Sequence, residues 1–310
     1  MIIGGIDIIT LISMLMVAST PVLLAATGEL VAEKSGVLNL GVEGMMITGA
    51  VAGFATAVST CSPVLGFLGG ALAGAAMAML FAILTQVFLS NQTATGLALT
   101  LFGLGLSALI GKPFEGVRPP PTGKVPFGPL ADIPVLGPIL FSHDWVVYLS
   151  LLLVALTWAF LKYTRAGLIL RAVGENHDAA HALGYRVIAV RCAALAFGGA
   201  LAGLGGAYLS LIRVPQWTEG MTAGAGWIAL AIVVFASWRP ERALIGAYLF
   251  GGITALQLQL QAAGYAIPVH LLSMAPYVLT IVVLVLLSVM HRRGVQAAPA
   301  ALGRSFHAAS

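Results

Sequence analysis

Hydrophobic residues make up 59% of the 310-residue chain and charged residues 8%, against soluble norms of roughly 45–50% and about 25%. With only 15 Lys and Arg and 11 Asp and Glu, and a mean hydropathy of +1.00, no charged skin for a water-soluble fold exists. The chain is expected to be all-α, a polytopic transmembrane helical bundle forming one domain over 1–310. Its net charge of +4 and pI near 9.3 then report orientation in the bilayer, not affinity for nucleic acid.

A span needs about 20 apolar residues to cross roughly 30 Å of hydrocarbon. In chain order the candidate spans are 8–27, 38–60, 64–89, 93–111, 145–162, 191–212, 225–238, 243–262 and 269–290. Nine is the expected count, within a range of eight to ten. The first lacks a basic start and a small-residue cleavage site, so it reads as a span and not as a removed signal. The second, with Glu43 inside it, and the short seventh are the places for re-entrant or half-helices.

Placing 163–190 and the tail 291–310 in the cytoplasm puts the N-terminus and the 112–144 loop outside. Eleven of the 15 cations then fall at cytoplasmic ends, and Lys112, Arg118, Lys124 and Arg213 fall outside, as the positive-inside rule requires. Cys61 and Cys192 lie at opposite faces in this topology, with no metal-ligand spacing. Loop 112–144 holds Pro119, Pro120, Pro121, Pro126, Pro129, Pro134 and Pro138, and reads as extended.

Glycines spaced four apart, such as Gly49/Gly53, Gly70/Gly74 and Gly199/Gly203, suit close helix packing. The hexapeptide Gly-Gly-Ala-Leu-Ala-Gly occurs at 69–74 and again at 198–203, running inward in the first copy and outward in the second. An inverted repeat of a transporter core would produce this, and so would chance in an Ala/Gly-rich chain.

Enzymatic motifs are missing. Gly111-Lys112-Pro113 lacks both the spacing and the hydroxyl of a phosphate-binding loop, and there is no HExxH or GxSxG. His177 and His181 share a helical face without a third metal ligand. The polar loop from Arg171 to Gly184 is the most informative stretch. Asn176 can N-cap a short helix with Asp178 in its first turn and Gly184 as its stop, leaving Ala179, Ala180 and Leu183 as a small apolar face.

Asp178-Ala-Ala-His-Ala-Leu-Gly184 resembles the Glu-Ala-Ala-x-x-x-Gly core of the cytoplasmic loop in ABC importer permeases, with Asp replacing Glu. Arg171-Ala-Val-Gly-Glu-Asn before it strengthens the likeness. Residues 28–46, including Gly-Val-Leu-Asn-Leu-Gly-Val-Glu-Gly, are similar to simple-sugar and nucleoside-type permeases of the branched-chain amino acid, sugar and nucleoside group. The resemblance implies that Gly174, Glu175, Asn176, Asp178, Ala179, Ala180, Leu183 and Gly184 couple the chain to a separate ATP-binding subunit. That subunit would use ATP and Mg, leaving this chain without cofactor or catalytic residues. A second permease chain, identical or related, and an extracytoplasmic binding protein are the other implied partners. The implied setting is a bacterial cytoplasmic membrane, and the implied cargo a nucleoside or simple sugar.

Polar residues in spans are the candidates for the translocation pathway: Asn39, Glu43, Gln92 and Gln257. Asn39 and Glu43, four apart, are expected on one helical face at the start of a span. A carboxylate there costs about 2.5–3.5 kcal/mol on insertion scales, so Glu43 must face a partner, either solute or backbone amides. Glu29, Glu33 and Lys34 read as interface charges, and Trp217 and Glu219 as outer-loop residues available to a binding protein. Branched-chain amino acid import is the within-class alternative, and an ion-coupled secondary transporter the rival of another class.

Overall fold

A computed structural model describes residues 2–3, 6–264 and 298–307, together with isolated positions 274, 278, 281, 282 and 285. After a two-residue antiparallel ladder (β1 Ile2–Ile3, β2 Ile6–Asp7), the described residues fold into helices and their connections. They are α1 Ile8–Lys34, α2 Val42–Thr60, α3 Pro63–Ala82, α4 Gln92–Gly111, α5 Leu136–Leu140 and α6 Trp145–Tyr163. Then come α7 Arg165–Glu175, α8 His177–Ala182, α9 Val187–Tyr208, α10 Ala225–Phe235 and α11 Pro240–Ala262. Single π-helical turns, Ile83–Val87 and Leu209–Arg213, extend α3 and α9.

Local chemistry sets the starts. Asp7, Ser62, Asn91, Asp144, Thr164 and Asn176 each accept a first-turn amide with the side chain, satisfying donors that a helix cannot satisfy internally. Seven helices of the described residues are long and apolar enough to cross a membrane. The eleven residues of α10 rise only about 16 Å and cross half of one. Eight of the nine expected intervals therefore correspond to helices, the seventh as a half-helix. The ninth, 269–290, lies outside the described residues save for isolated positions.

Two boundaries differ from expectation. The first helix runs on to Lys34, because Glu29 and Glu33 are buried, at 1% and 2% exposure, and not interfacial. The second starts only at Val42, so Asn39 precedes the helix and shares no helical face with Glu43. Glu43 sits in the first turn and does not break α2. Loop 112–144 is also less extended than its prolines suggest: Lys112–Phe114 and Gly128–Leu130 form single 3-10 turns, and α5 follows. In both 3-10 turns proline stands at the start, where its missing amide costs nothing.

Packing is backbone against backbone where helices cross at glycines. A Cβ added to Gly203 would strike the Gly70 carbonyl, one on Gly74 the Gly199 carbonyl, and one on Gly199 the Gly74 carbonyl. The two copies of the hexapeptide therefore pack against each other, antiparallel. The same logic brings α1 to α9 at Gly28 and Gly198, and α2 to α4 at Gly44 and Gly103. Lipid chains are as apolar as leucine, so contact of this closeness, not hydrophobicity, holds membrane helices together.

Backbone contacts gather the connections at two ends. At one end Ala301 N donates to Gly174 O and Gly303 N to Gly36 O, joining the 35–41 connection, α7 and the C-terminal segment. At the other end Glu115 bridges to Trp217 and Lys124 to Asp144. Trp217, 2% exposed, packs its ring on Gly111, so it is core and not a surface for a binding protein.

Candidate functional site

The loop 164–186 folds into two short helices. Thr164 caps α7, and α7 ends where Asn176 turns extended (φ −151°, ψ 97°). Asn176 Oδ1 then accepts the Ala179 amide at 3.0 Å and starts α8. Gly184 closes it at φ +87°, its amide donating to His181 O at 2.8 Å, with open space where a side chain would be. Gly174 presses on the Lys34 carbonyl, which fixes the angle at which α7 leaves the bundle. Ala180 is buried, while Leu183 is 76% exposed and the Asp178 side chain 78% exposed. The outcome is a capped, projecting knob, with Gly174 and Glu175 in its stem and Asp178, Ala179 and Leu183 toward its tip.

What anchors the knob was not evident from hydropathy. Arg191, read as a marker of a span end, is fully buried. Its guanidinium donates to Ser35 O (3.3 Å), Gln86 Oε1 (3.2 Å) and Arg304 O (3.1 Å), and lies 3.2 Å from His177 Nδ1. Rigid planar donors suit such a multi-point junction. One side chain of α9 thereby ties the end of α1, the π-turn after α3, the C-terminal segment and α8. Burial lowers the His177 pKa below its ordinary value, with Arg191 the next cause and Asp178 opposing.

The pathway candidates resolve differently. Glu43, 5% exposed, accepts from Thr222 Oγ1 (2.5 Å) and Gly224 N (3.0 Å) on one oxygen and Gly226 N (2.7 Å) on the other. Those groups form the turn entering α10, where Ala223 and Gly224 both have positive φ. A carboxylate at a helix N-terminus satisfies amides that have no internal partner and favours the dipole. Of the two partners open to Glu43, the structure thus supplies the backbone of a discontinuous helix. Gly226 lies directly on the Glu43 backbone, so α2 and α10 can approach this closely only without a Cβ.

Asn39 donates through Nδ2 to Glu29 Oε2 at 3.0 Å, and its Oδ1 accepts the Gly41 amide at 3.0 Å. Gln92 Oε1 accepts the Leu38 amide at 2.8 Å, while its buried Nε2 has no protein partner. Both therefore brace the 35–41 connection. Gln257 stands half-buried on α11. Glu33 accepts from Trp238 Nε1, pinning a turn in which Ser237 and Trp238 both take positive φ. The four-residue spacing of Glu29 and Glu33 placed them on one face, and that was the available signal for their burial.

Among the described residues no group of three His, Cys, Asp or Glu side chains is placed to hold a metal. His177 and His181 instead flank the Phe306 ring.

A bundle of close-packed apolar helices, a half-helix capped from a neighbour and a capped projecting knob describe a multi-pass membrane protein. The chain belongs to the permease component family of the branched-chain amino acid transport system, whose family model matches residues 11–290. It is 44% identical over 254 residues (81% of this chain, 77% of the relative) to a protein assigned as a glucose ABC transporter permease in Haloferax volcanii. It is 35% identical to a guanosine ABC transporter permease of Bacillus subtilis, over 90% of this chain and 93% of that one. A nucleoside ABC transporter permease of Lactococcus lactis is 33% identical over 89% and 91%. No solved structure matches the chain. It is accordingly a permease subunit of the ABC-importer type.

Proposed function

We propose that this chain imports a nucleoside or simple sugar across a bacterial cytoplasmic membrane, with its N-terminus outside and its C-terminus in the cytoplasm. The names of the relatives, for glucose, guanosine and nucleosides, support this solute class. A binding protein delivers the solute to the outer end, where the 112–144 loop lies. A second permease chain completes the pathway, and a separate subunit hydrolyses ATP with Mg. Residues 174–184 receive that subunit's stroke.

The observation that carries the coupling role is the form of α8. It is capped at both ends, projects an exposed Leu183, and is bonded through His177 to a buried arginine of a membrane span. An ion-driven transporter needs an ionisable group free to titrate in the bundle; the three bonds of Glu43 all go to one turn, which speaks against that residue in the role.

The test replaces Gly184 with valine, a residue strained at positive φ but meeting no neighbour. Transport should stop while the protein remains inserted and folded. If the ATP-binding subunit still co-purified and solute-stimulated hydrolysis were unchanged, the role assigned to 174–184 would be wrong. Uptake without ATP by the protein reconstituted alone would decide for the ion-driven rival. Ligand identification on the co-purified binding protein distinguishes nucleoside or sugar from a branched-chain amino acid.

A further inference from the structure

The C-terminal segment 299–306 is built into the base of the knob. Leu302 N donates to Pro299 O and Arg304 N to Ala301 O, each at 3.1 Å, giving two successive turns with Gly303 at φ +75°. Ala301 N donates to Gly174 O at 2.9 Å and Gly303 N to Gly36 O at 3.1 Å, so the first turn joins the stem of α7 to the end of α1. Arg304 O accepts from Arg191. Phe306, 5% exposed, then closes on α8, its ring centroid 5.5 Å from that of His177 and 5.2 Å from that of His181, both edge-on.

The mechanical problem this arrangement meets is clear. Six residues make less than two helical turns, and a helix that short has no stability of its own. Its link to α7 is a single extended residue, Asn176. Beyond it, α8 is held by the His177–Arg191 contact and the short connection 183–186 to α9, so a load applied at Leu183 would tilt α8 about Asn176 unless its inner side were filled. Phe306 occupies that side, against both histidine rings.

We propose that residues 299–306 are a strap that makes α7, α8 and the adjoining end of α1 one rigid body. Movement of the ATP-binding subunit then reaches the spans instead of dissipating at Asn176. The proposal rests on the reading of α8 as the contact for that subunit.

The experiment uses the whole transporter in proteoliposomes, carrying Phe306→Ala, deletion of 299–310, Phe306→Tyr or Leu183→Asp. With Phe306→Ala and the deletion, the ATP-binding subunit should still co-purify and hydrolyse ATP. ATP consumed per solute imported should rise, because strokes of the subunit would be lost at Asn176. Phe306→Tyr keeps the ring and should stay near the unmodified ratio. Unmodified ratios for both Phe306→Ala and the deletion would overturn the strap. A deletion that imported solute with less ATP would overturn it too, making the segment a brake.

Leu183→Asp separates the two readings. Loss of the ATP-binding subunit supports α8 as the contact, whatever the strap variants do. Retention of it removes that reading. Should the strap variants fail to assemble, hydrogen exchange of the permease alone remains decisive. Amides 179–183 should exchange faster in Phe306→Ala while α3 and α9 are unchanged, and unchanged exchange at 179–183 would overturn the strap.

Discussion

Arg191 Nη2 lies 3.2 Å from His177 Nδ1, and the arginine is fully buried. A guanidinium has only donors, so the facing ring nitrogen must offer a lone pair, which makes His177 neutral with its proton on Nε2. The groups acting on it agree: burial first, then Arg191, with Arg304 and His307 in the same direction and only Asp178 opposed. A pKa lower in the folded state means that the unfolded chain binds the proton more readily. Stability is then level above the ordinary value of 6.5 and falls as pH drops through it, until the lowered folded pKa is passed. Melting of the purified protein at about pH 8 and about pH 5.5 should show the acid loss. His177→Gln, which can accept but not titrate, should shrink it.

Glu43 holds the entrance of α10 through three bonds, and losing a charged acceptor leaves those donors buried without partners. Glu43→Ala should destabilise by roughly 3 kcal/mol or more, since each charge-assisted bond is worth about 1.5–3. Glu43→Gln, keeping one acceptor, should cost about 1–3 kcal/mol. Thermal unfolding and yield of inserted protein measure both. Normal stability with altered solute selectivity would instead make Glu43 a solute contact.

Asn39 is the partner of Glu29, whose Oε1 already lacks one. Asn39→Leu should therefore cost about 2 kcal/mol, because a buried carboxyl group loses its hydrogen-bond partner. Replacing both together by apolar groups, Asn39→Leu with Glu29→Met, should recover much of that loss in chemical denaturation. Additive losses would show that the pair does not interact.

At the crossing of α3 and α9 the added atom has nowhere to go. Gly74→Val and Gly199→Val should each reduce stability by about 1–3 kcal/mol, the usual cost of overpacking. Gly105→Val, with nothing within 4 Å, should change little. The three are compared by unfolding in detergent.

Most of the helical layout was legible because a bilayer demands long apolar runs, and eight of the nine intervals coincide with helices. The knob was legible as well, since Asn176 and Gly184 are side-chain and backbone signals that act within one turn. What hydropathy could not supply was the fate of charges inside apolar surroundings. Glu29 and Glu33 raise the polarity of a run and so seemed to end it, whereas Asn39 and Trp238 take them into the interior. Arg191 looked like a topological marker because its four partners come from segments up to 156 residues away. The four-residue spacing of Asn39 and Glu43 presumed helix where the chain needed an irregular connection to turn from α1 into α2.

The crossing of the two Gly-Gly-Ala-Leu-Ala-Gly copies has a kinematic consequence. Where carbonyls of one helix rest on the α-carbons of another, no rotamer can flex to absorb sliding, and any shear must lift the two backbones apart. Helices α3 and α9 therefore behave as one fused unit within the bundle. Any bending between helices is then left to joints such as the capped turn into α10 and the left-handed pair Ser237–Trp238, where the chain already departs from helical geometry.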